Sequence, residues 1–174
     1  MASIQACELP DNALLRRYLG GGAYADCYVA ELGWRVSNAE FVEAFYTTAV
    51  FKLERLLLSW FAARPSTDAQ ARELASGKLT SFAAWSVEAR EPNQLLLADY
   101  QGRTRSWLMS APSSNNQTTH LFFGSAVVPM VNKRSGEARM GVAFQALLGF
   151  HKLYSRVLLR AAVTRLARPR STEP

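Results

Sequence analysis

The two histidines, His120 and His151, are the side chains best suited to acid–base chemistry, because imidazole titrates near neutral pH. His120 lies in a strand-like segment, and His151 lies on the apolar stripe of a C-terminal helical pattern, so both could point inward. Asp26 stands between Ala25 and Cys27 and shares a strand face with Tyr24 and Tyr28. Burial beside phenols would raise the pKa of that carboxyl. Asp26, His120 and His151 are therefore the catalytic candidates.

Each candidate also has a purely structural explanation. His151 can be a buried, hydrogen-bonded residue that closes the helix against a sheet. Asp26 can face water or pair with an arginine such as Arg105. Ser155 follows His151 at helical spacing, but it lacks an orienting third group and an oxyanion loop, so it does not indicate a hydrolase. No catalytic motif identifies a reaction, and the sequence leaves open whether the protein is an enzyme.

Metal and cofactor chemistry find little support in the sequence. The histidines and Asp99 could together supply metal ligands, but their spacing matches neither HxxxH nor HExxH. Cys7 and Cys27 lie outside any CxxC or Cys/His pattern, which argues against a zinc site and a disulfide framework. We predict two free thiols, no metal and no cofactor.

The first half of the chain is predicted to be mostly helical. Two capping boxes, Ser37 with Glu40 and Thr67 with Gln70, mark helix starts. The predicted elements begin with a short helix over residues 10–19 and a strand over 23–32. A helical pair over 37–64 follows; it breaks at Thr47–Thr48, and its second helix includes the run from Leu53 to Trp60. A short helix ending at Gly77 completes this half.

The second half changes to strands and then returns to a helix. Strand-like segments cover residues 81–90, 94–100, 104–110 and 118–128. The connectors between them are short, so the strands must be antiparallel neighbours. From Phe144 to Ala161 an apolar stripe recurs at helical spacing, which predicts a long amphipathic helix ending before Pro169. The pattern thus predicts an α+β fold whose five-stranded sheet is covered by the last helix.

Four segments carry a resemblance to a known family: Tyr24–Tyr28, Ala39–Phe45, Ala126–Val128 and Phe150–Ala162. They resemble the domain of unknown function 2867 family of the START-like and Bet v 1-like helix-grip superfamily. The resemblance spans about residues 9–166. It implies a curved antiparallel sheet wrapped around a long C-terminal helix with a cavity between them, and it implies no reaction. The five predicted strands depart from a regular seven-stranded sheet.

On this basis residues 1–167 form one helix-grip domain, and residues 168–174 form a disordered basic tail. The cavity between sheet and helix would bind a small molecule through apolar walls and a few polar groups, whereas a packed core is the alternative use of the same side chains. The candidate lining residues are Tyr28, Trp85, Leu97, Asp99, Trp107, Met109, His120, Phe122, Phe144, Leu148, His151 and Tyr154.

Charge and hydropathy limit the partners. The 174 residues carry a formal charge of +6, and the surplus lies in residues 133–174, which hold nine basic and two acidic side chains. No segment has the roughly 18 consecutive apolar residues of a membrane span, and Arg16-Arg17 is not followed by the apolar region of an export signal. We therefore predict a soluble, cytoplasmic protein without a transmembrane segment.

Three functions follow from these observations. The first is binding of a hydrophobic or amphipathic small molecule such as a lipid, a polyketide-like metabolite or an isoprenoid. The second is an enzyme of cyclase, hydratase or dehydratase type that uses the same cavity. The third is an interaction protein that docks through its basic C-terminal helix; no nucleic-acid-binding signature accompanies the charge, so nucleic acid is not expected. Homodimerisation through a sheet edge stays open.

Overall fold

The fold is built on a seven-stranded antiparallel sheet that carries α-helices on one face. The computed structural model describes residues 2–20, 23–52, 66–113, 116–128, 130–131, 138–139 and 142–168. For residues 130–131, 138–139 and 142–150 it describes the backbone. The strands are β1 (Ile4–Ala6), β2 (Tyr24–Leu32), β3 (Ser81–Phe82), β4 (Trp85–Glu91), β5 (Gln94–Asp99), β6 (Thr104–Pro112), β7 (Thr119–Val127), β8 (Met130–Val131) and β9 (Ala138–Arg139).

The helices flank these strands in sequence. A 3₁₀ helix covers Leu14–Tyr18, and the α-helices are α1 (Asn38–Tyr46), α2 (Asp68–Ala75) and α3 (Val142–Leu166). Both predicted capping boxes are present, because the Ser37 and Thr67 hydroxyls accept the third-residue amides and the Glu40 and Gln70 side chains bond back to the caps. These reciprocal bonds satisfy amides that would otherwise lack partners at the helix starts.

The sheet is curved and open, with the strand order β1-β2-β7-β6-β5-β4-β3. Strands β4 to β7 form a meander, as the short connectors predict, and β2 pairs with β7. The chain between β2 and β3 therefore crosses from one side of the sheet to the other, and it carries α1 and α2 on the way. Strands β8 and β9 form a separate hairpin before α3. The α+β class and the antiparallel sheet are confirmed.

The face that meets α1, α2 and α3, here called the inner face, holds a packed apolar core. Phe45 of α1 contacts four other aromatic rings, at centroid distances of 4.8 to 6.2 Å. The C-terminal half of α3 adds Leu158, Leu159 and Ala162 to the same core. These side chains pack together between the sheet, α1, α2 and the C-terminal half of α3. The sheet side chains involved are Tyr28, Ala30, Leu32, Leu95, Leu97, Leu108, Leu121 and Phe123.

The opposite face, here called the outer face, is covered in its middle by the 3₁₀ helix. Leu15 and Trp107 are both fully buried there. Gln94 joins the two, because its Oε1 accepts hydrogen bonds from the Leu14 amide at 2.9 Å and from Trp107 Nε1 at 2.8 Å. The central strands are therefore buried on both faces, and their apolar residues run continuously through Leu95, Leu96 and Leu97.

Some predicted elements differ from the observed ones. The sheet has seven strands rather than five, because the edge strand β1 carries too few residues for a visible alternation and the predicted strand over 81–90 forms two strands, β3 and β4. The predicted strand over 81–90 is divided at Ala83, whose φ of 52° places it in the left-handed region. The predicted break at Thr47–Thr48 is confirmed. The helical run from Leu53 to Trp60 and most of the basic tail lie outside the described residues.

Replacing Gly124 with alanine is expected to lower the free energy of unfolding by about 1–3 kcal/mol, the usual cost of overpacking. A Cβ on Gly124 would lie 2.8 Å from Leu15 Cδ2, 3.0 Å from the Asp26 carbonyl oxygen and 3.0 Å from Trp107 Cε3. Urea unfolding followed by circular dichroism measures the change. Gly33→Ala is the matched control, because a Cβ there has no neighbour within 4 Å. Equal stability of the two variants would contradict the tight packing of the outer face.

Candidate functional site

A row of polar side chains interrupts the apolar inner face near the end of the sheet where β2 begins and β7 ends. In the strand register Asp26 lies opposite Ser125, and Ser125 lies opposite Ser106. Ser106 is closed off by Tyr46 of α1, since their hydroxyl oxygens are 3.1 Å apart in a buried hydrogen bond. The end of the row at Asp26 lies beneath α3 instead, and this end forms the candidate site.

Asp26, Ser125 and His151 meet at this position, and we call them the Asp26 cluster. Ser125 Oγ donates to Asp26 Oδ1 at 2.6 Å and lies 2.8 Å from His151 Nε2. His151 Nε2 is also 3.5 Å from Asp26 Oδ2. A hydroxyl has one hydrogen, and Ser125 gives it to Asp26, so the bond to His151 places a hydrogen on Nε2. Two ionisable side chains from different elements therefore converge on one oxygen atom.

The cluster is partly open to solvent at its His151 side. The His151 side chain is 26% exposed and the Asp26 side chain 9%. Tyr24 borders both residues: its hydroxyl lies 3.4 Å from Asp26 Oδ2, and its ring meets the imidazole edge-on at 6.1 Å between centroids. Of the three cluster residues, His151 is thus the most accessible to a small molecule.

Burial and the negative charge of Asp26 raise the pKa values of the two neighbouring phenols, Tyr24 and Tyr28. Desolvation raises the pKa of Tyr24, and the Asp26 carboxylate raises it further. The pKa of Tyr28 is raised for the same two reasons, while the Arg156 guanidinium, 5.4 Å from the ring centroid, opposes the shift. Both phenols thus stay protonated across the physiological range and can serve as hydrogen-bond donors.

The path of α3 explains why His151 reaches Asp26. The helix runs in the same direction as β2, with His151 beside Asp26 and Arg156 above Tyr28. Ser155 is buried on the same helix face as His151. Leu158 and Leu159 continue this buried face toward the end of the helix. The exposed residues of this part of α3 include Lys152, Arg156 and Arg160, as well as Leu153 and Val157. The predicted basic helix face is present, whereas docking through it stays a prediction.

The structure brings together two of the three catalytic candidates. Asp26 and His151 share the cluster, but His120 points to the outer face, where its Nε2 lies 3.8 Å from Glu31 Oε2. The alternative pairing of Asp26 with Arg105 is wrong. Arg105 lies on the outer face, where its Nε donates to Glu88 at 2.6 Å and to the Tyr18 hydroxyl at 2.8 Å.

The predicted pocket residues are divided between the two faces by strand alternation. Tyr28 and Leu97 point to the inner face but are buried in the packed core, and Tyr154 and Trp85 pack at its edge. Trp107, Met109 and Phe122 belong to the outer cluster, and His120 lies on that face too, so these four residues cannot line a space beneath α3. Asp99 accepts the Arg103 amide at 2.7 Å in the β5–β6 turn. The side chains of Phe144 and Leu148 lie outside the described residues.

Ser125 is the site residue that sequence reasoning missed. It carries no motif, and it stands in the middle of a strand between Gly124 and Ala126. The backbone of this strand is paired on both sides, to β2 and to β6, which leaves no free amides to bind an oxyanion. Ser125 therefore positions Asp26 and His151 relative to each other and is not placed to act as a nucleophile.

Among the residues that the structure describes, some near the ends of the sheet border cavities. One, of about 340 Å³, is lined by Cys7, Glu8, Leu9, Arg16, Leu19, Ala25, Asp26 and Cys27. Another, of about 410 Å³, lies at the start of α1 and is lined by Arg35, Val36, Ser37, Glu40, Ser110, Pro112 and Thr119.

The part of the chain that the structure describes has neither a cluster of metal-binding side chains nor a helix that could span a membrane. Among these residues, no group of three or more histidine, cysteine, aspartate or glutamate side chains could hold a metal ion. None of the helices that the structure describes is long and apolar enough to cross a membrane. Comparison of the chain with protein-family models, with curated proteins and with solved structures finds no match.

Proposed function

We propose that this chain is a helix-grip domain of the START-like and Bet v 1-like kind, related to the domain of unknown function 2867 family, and that it binds an amphipathic small molecule. The seven-stranded antiparallel sheet with a long C-terminal helix on its inner face supports the architecture. The Asp26 cluster would hold the polar group of the ligand. The apolar part of the ligand would lie beneath the first half of α3, the segment Val142–Phe150, which is rich in apolar residues.

The observation that carries this proposal is the convergence of Asp26 and His151 on Ser125 Oγ at the edge of the apolar inner face. Polar groups inside an apolar surface are costly unless they are paired. A few such groups at one end of an apolar region are typical of sites that orient a small molecule. The packed core around Phe45 closes the other end of the inner face, so the ligand site is confined to the Asp26 end.

The chemistry of the cluster selects the polar group of the ligand. The Asp26 carboxylate accepts hydrogen bonds, and a ligand hydroxyl could donate to it in place of Ser125. A ligand carboxylate would instead be repelled by Asp26, because like charges at contact distance disfavour binding. We therefore expect the ligand to be an amphiphile with a hydroxyl group, of which an isoprenoid alcohol such as farnesol is a suitable probe.

Binding is tested by titrating the ¹⁵N-labelled protein with farnesol and following amide chemical shifts. We expect shifts at Tyr24–Tyr28 and around Ser125 and His151, and none at Asp68–Ala75 of α2. Asp26→Asn is expected to weaken binding about 10–100-fold, because a hydrogen bond to a charged group contributes about 1.5–3 kcal/mol. Farnesoic acid, which has the same chain with a carboxylate, should bind more weakly than farnesol.

Asp11→Asn is the control for this substitution, since the Asp11 side chain is fully exposed and the same change there should leave the affinity for farnesol unaltered. The ligand-binding proposal is abandoned if neither farnesol nor farnesoic acid shifts the amides of the Asp26 cluster. It is also abandoned if Asp26→Asn and Asp11→Asn bind farnesol equally well.

An acid–base enzyme of cyclase, hydratase or dehydratase type is the second candidate. It is favoured by one specific observation: two ionisable groups lie within 2.8 Å of a common atom, the distance at which a proton can be passed to or from a substrate. A substrate hydroxyl in the place of Ser125 Oγ would contact both groups. The farnesol incubation separates the candidates, because a binding protein returns the alcohol unchanged, whereas a dehydratase yields a hydrocarbon detectable by gas chromatography with mass spectrometry.

A further inference from the structure

Cys7 and Cys27 form a cross-strand thiol pair at the edge of the sheet. The Cys7 amide donates to the Cys27 carbonyl oxygen at 3.0 Å, directly after the paired residues Ala6 and Tyr28. The two sulfur atoms are 3.3 Å apart, and both thiols are free. Residues directly opposite each other in antiparallel strands have Cα atoms about 4.5–5.5 Å apart. This range falls within the roughly 4.4–6.8 Å that a disulfide requires, so the strand pairing is compatible with oxidation of the pair.

The pair is reachable from solvent through Cys7. Cys27 is buried and Cys7 is partly exposed. Both border the cavity of about 340 Å³, whose wall also includes Arg16. A cavity of that size admits part of a small thiol compound, and its wall carries Arg16 together with two acidic residues, Glu8 and Asp26. An incoming reagent therefore meets Cys7 before Cys27.

The two thiols are chemically unequal. The pKa of Cys7 is lowered, chiefly because Cys27 hydrogen-bonds to its sulfur, and this effect exceeds the opposing effect of burial. The pKa of Cys27 is raised by the same hydrogen bond and then by burial. The thiolate is the nucleophile in thiol–disulfide exchange. The order of reaction is therefore attack by Cys7 first and by Cys27 second.

We propose that Cys7 and Cys27 form a redox-active dithiol that exchanges with low-molecular-weight disulfides and closes reversibly into an intramolecular disulfide between β1 and β2. Cys7 thiolate attacks one sulfur of the disulfide RSSR, which forms a mixed disulfide and releases one RS⁻. Cys27 then loses its proton and attacks Cys7 Sγ, which breaks the mixed disulfide and releases the second RS⁻. In sum the two protein thiols lose two electrons and two protons, and RSSR is reduced to two RSH.

The test uses the full chain and oxidised glutathione as the disulfide. The chain contains only two cysteines, so alkylation of remaining thiols followed by intact-mass spectrometry counts them without ambiguity. We expect wild type to lose both reactive thiols without a lasting glutathione adduct, to remain monomeric on a non-reducing gel, and to recover both thiols with dithiothreitol. The closed form should melt about 5–10 °C higher than the reduced form.

Two single variants separate the roles of the thiols. Cys27→Ser should accumulate a stable mixed disulfide with glutathione on Cys7, because the resolving thiol is absent. Cys7→Ser should keep Cys27 unmodified, because the remaining thiol is buried and burial by itself raises its pKa. The proposal is overturned if both wild-type thiols stay free, if wild type retains a glutathione adduct, or if the disulfide forms between two molecules.

Discussion

Replacing Phe45 with alanine is expected to lower the free energy of unfolding by about 3–5 kcal/mol, the range for deleting a fully buried phenylalanine ring. The Phe45 side chain is 1% exposed. Its ring lies 4.8 Å from that of Phe123 on β7 and 5.2 Å from that of Tyr46. The substitution removes contacts to both the sheet and α1, and the surrounding rings cannot collapse fully into the space left. Urea unfolding monitored by circular dichroism measures the loss.

The affinity of this variant for farnesol also tests whether the packed core and the ligand site are separate parts of the inner face. Phe45 lies in the part of the inner face that we assign to packing, and the Asp26 cluster lies beyond it. The affinity of folded Phe45→Ala for farnesol should therefore stay within about threefold of wild type, a change below 1 kcal/mol. Tyr100→Ala serves as control, because that ring is 53% exposed and its loss should cost little. A stability loss no greater than that of Tyr100→Ala would mean that the space around Phe45 is loosely filled.

The sequence predicts the features whose physics is local. The capping boxes at Ser37 and Thr67 depend on residues three positions apart, and both are formed. The meander from β4 to β7 depends on short connectors, which allow only antiparallel neighbours. The edge strand β1 was not predicted, because three residues show no alternation and its existence depends on pairing with β2.

The faces of the sheet could not be assigned from the sequence for a physical reason. A strand with one solvated face alternates between apolar and polar residues, but the central strands here are buried on both faces. Leu97 and Trp107 are equally apolar, and only the register and the 3₁₀ helix place them on opposite faces. The same limit applies to the site: Asp26 and His151 were predicted from their residue types, whereas Ser125 is placed beside them by strand pairing across 99 positions of sequence.

Replacing Gln94 with leucine is expected to destabilise the protein by about 3 kcal/mol or more. Gln94 is fully buried. Its Oε1 accepts from the Leu14 amide and from Trp107 Nε1, and its Nε2 donates to the Asn12 carbonyl oxygen at 3.0 Å. Leucine has a similar volume, so the cavity cost is small. The loss of stability arises because these buried polar groups are left without a hydrogen-bond partner, which costs about 1–3 kcal/mol for each group.

The cost of Gln94→Leu should fall when Trp107 no longer has an indole hydrogen to satisfy. In the Trp107→Phe background, Gln94→Leu leaves one buried polar group fewer without a partner. A double-mutant cycle should therefore give a coupling free energy of about 1–2 kcal/mol between the two positions. Gln101→Leu is the matched control, since Gln101 is exposed and its replacement should change stability by about 0.5 kcal/mol at most. Additive effects of Gln94→Leu and Trp107→Phe would show that this hydrogen bond does not hold the 3₁₀ helix to the sheet, and the outer face would then depend on apolar packing alone.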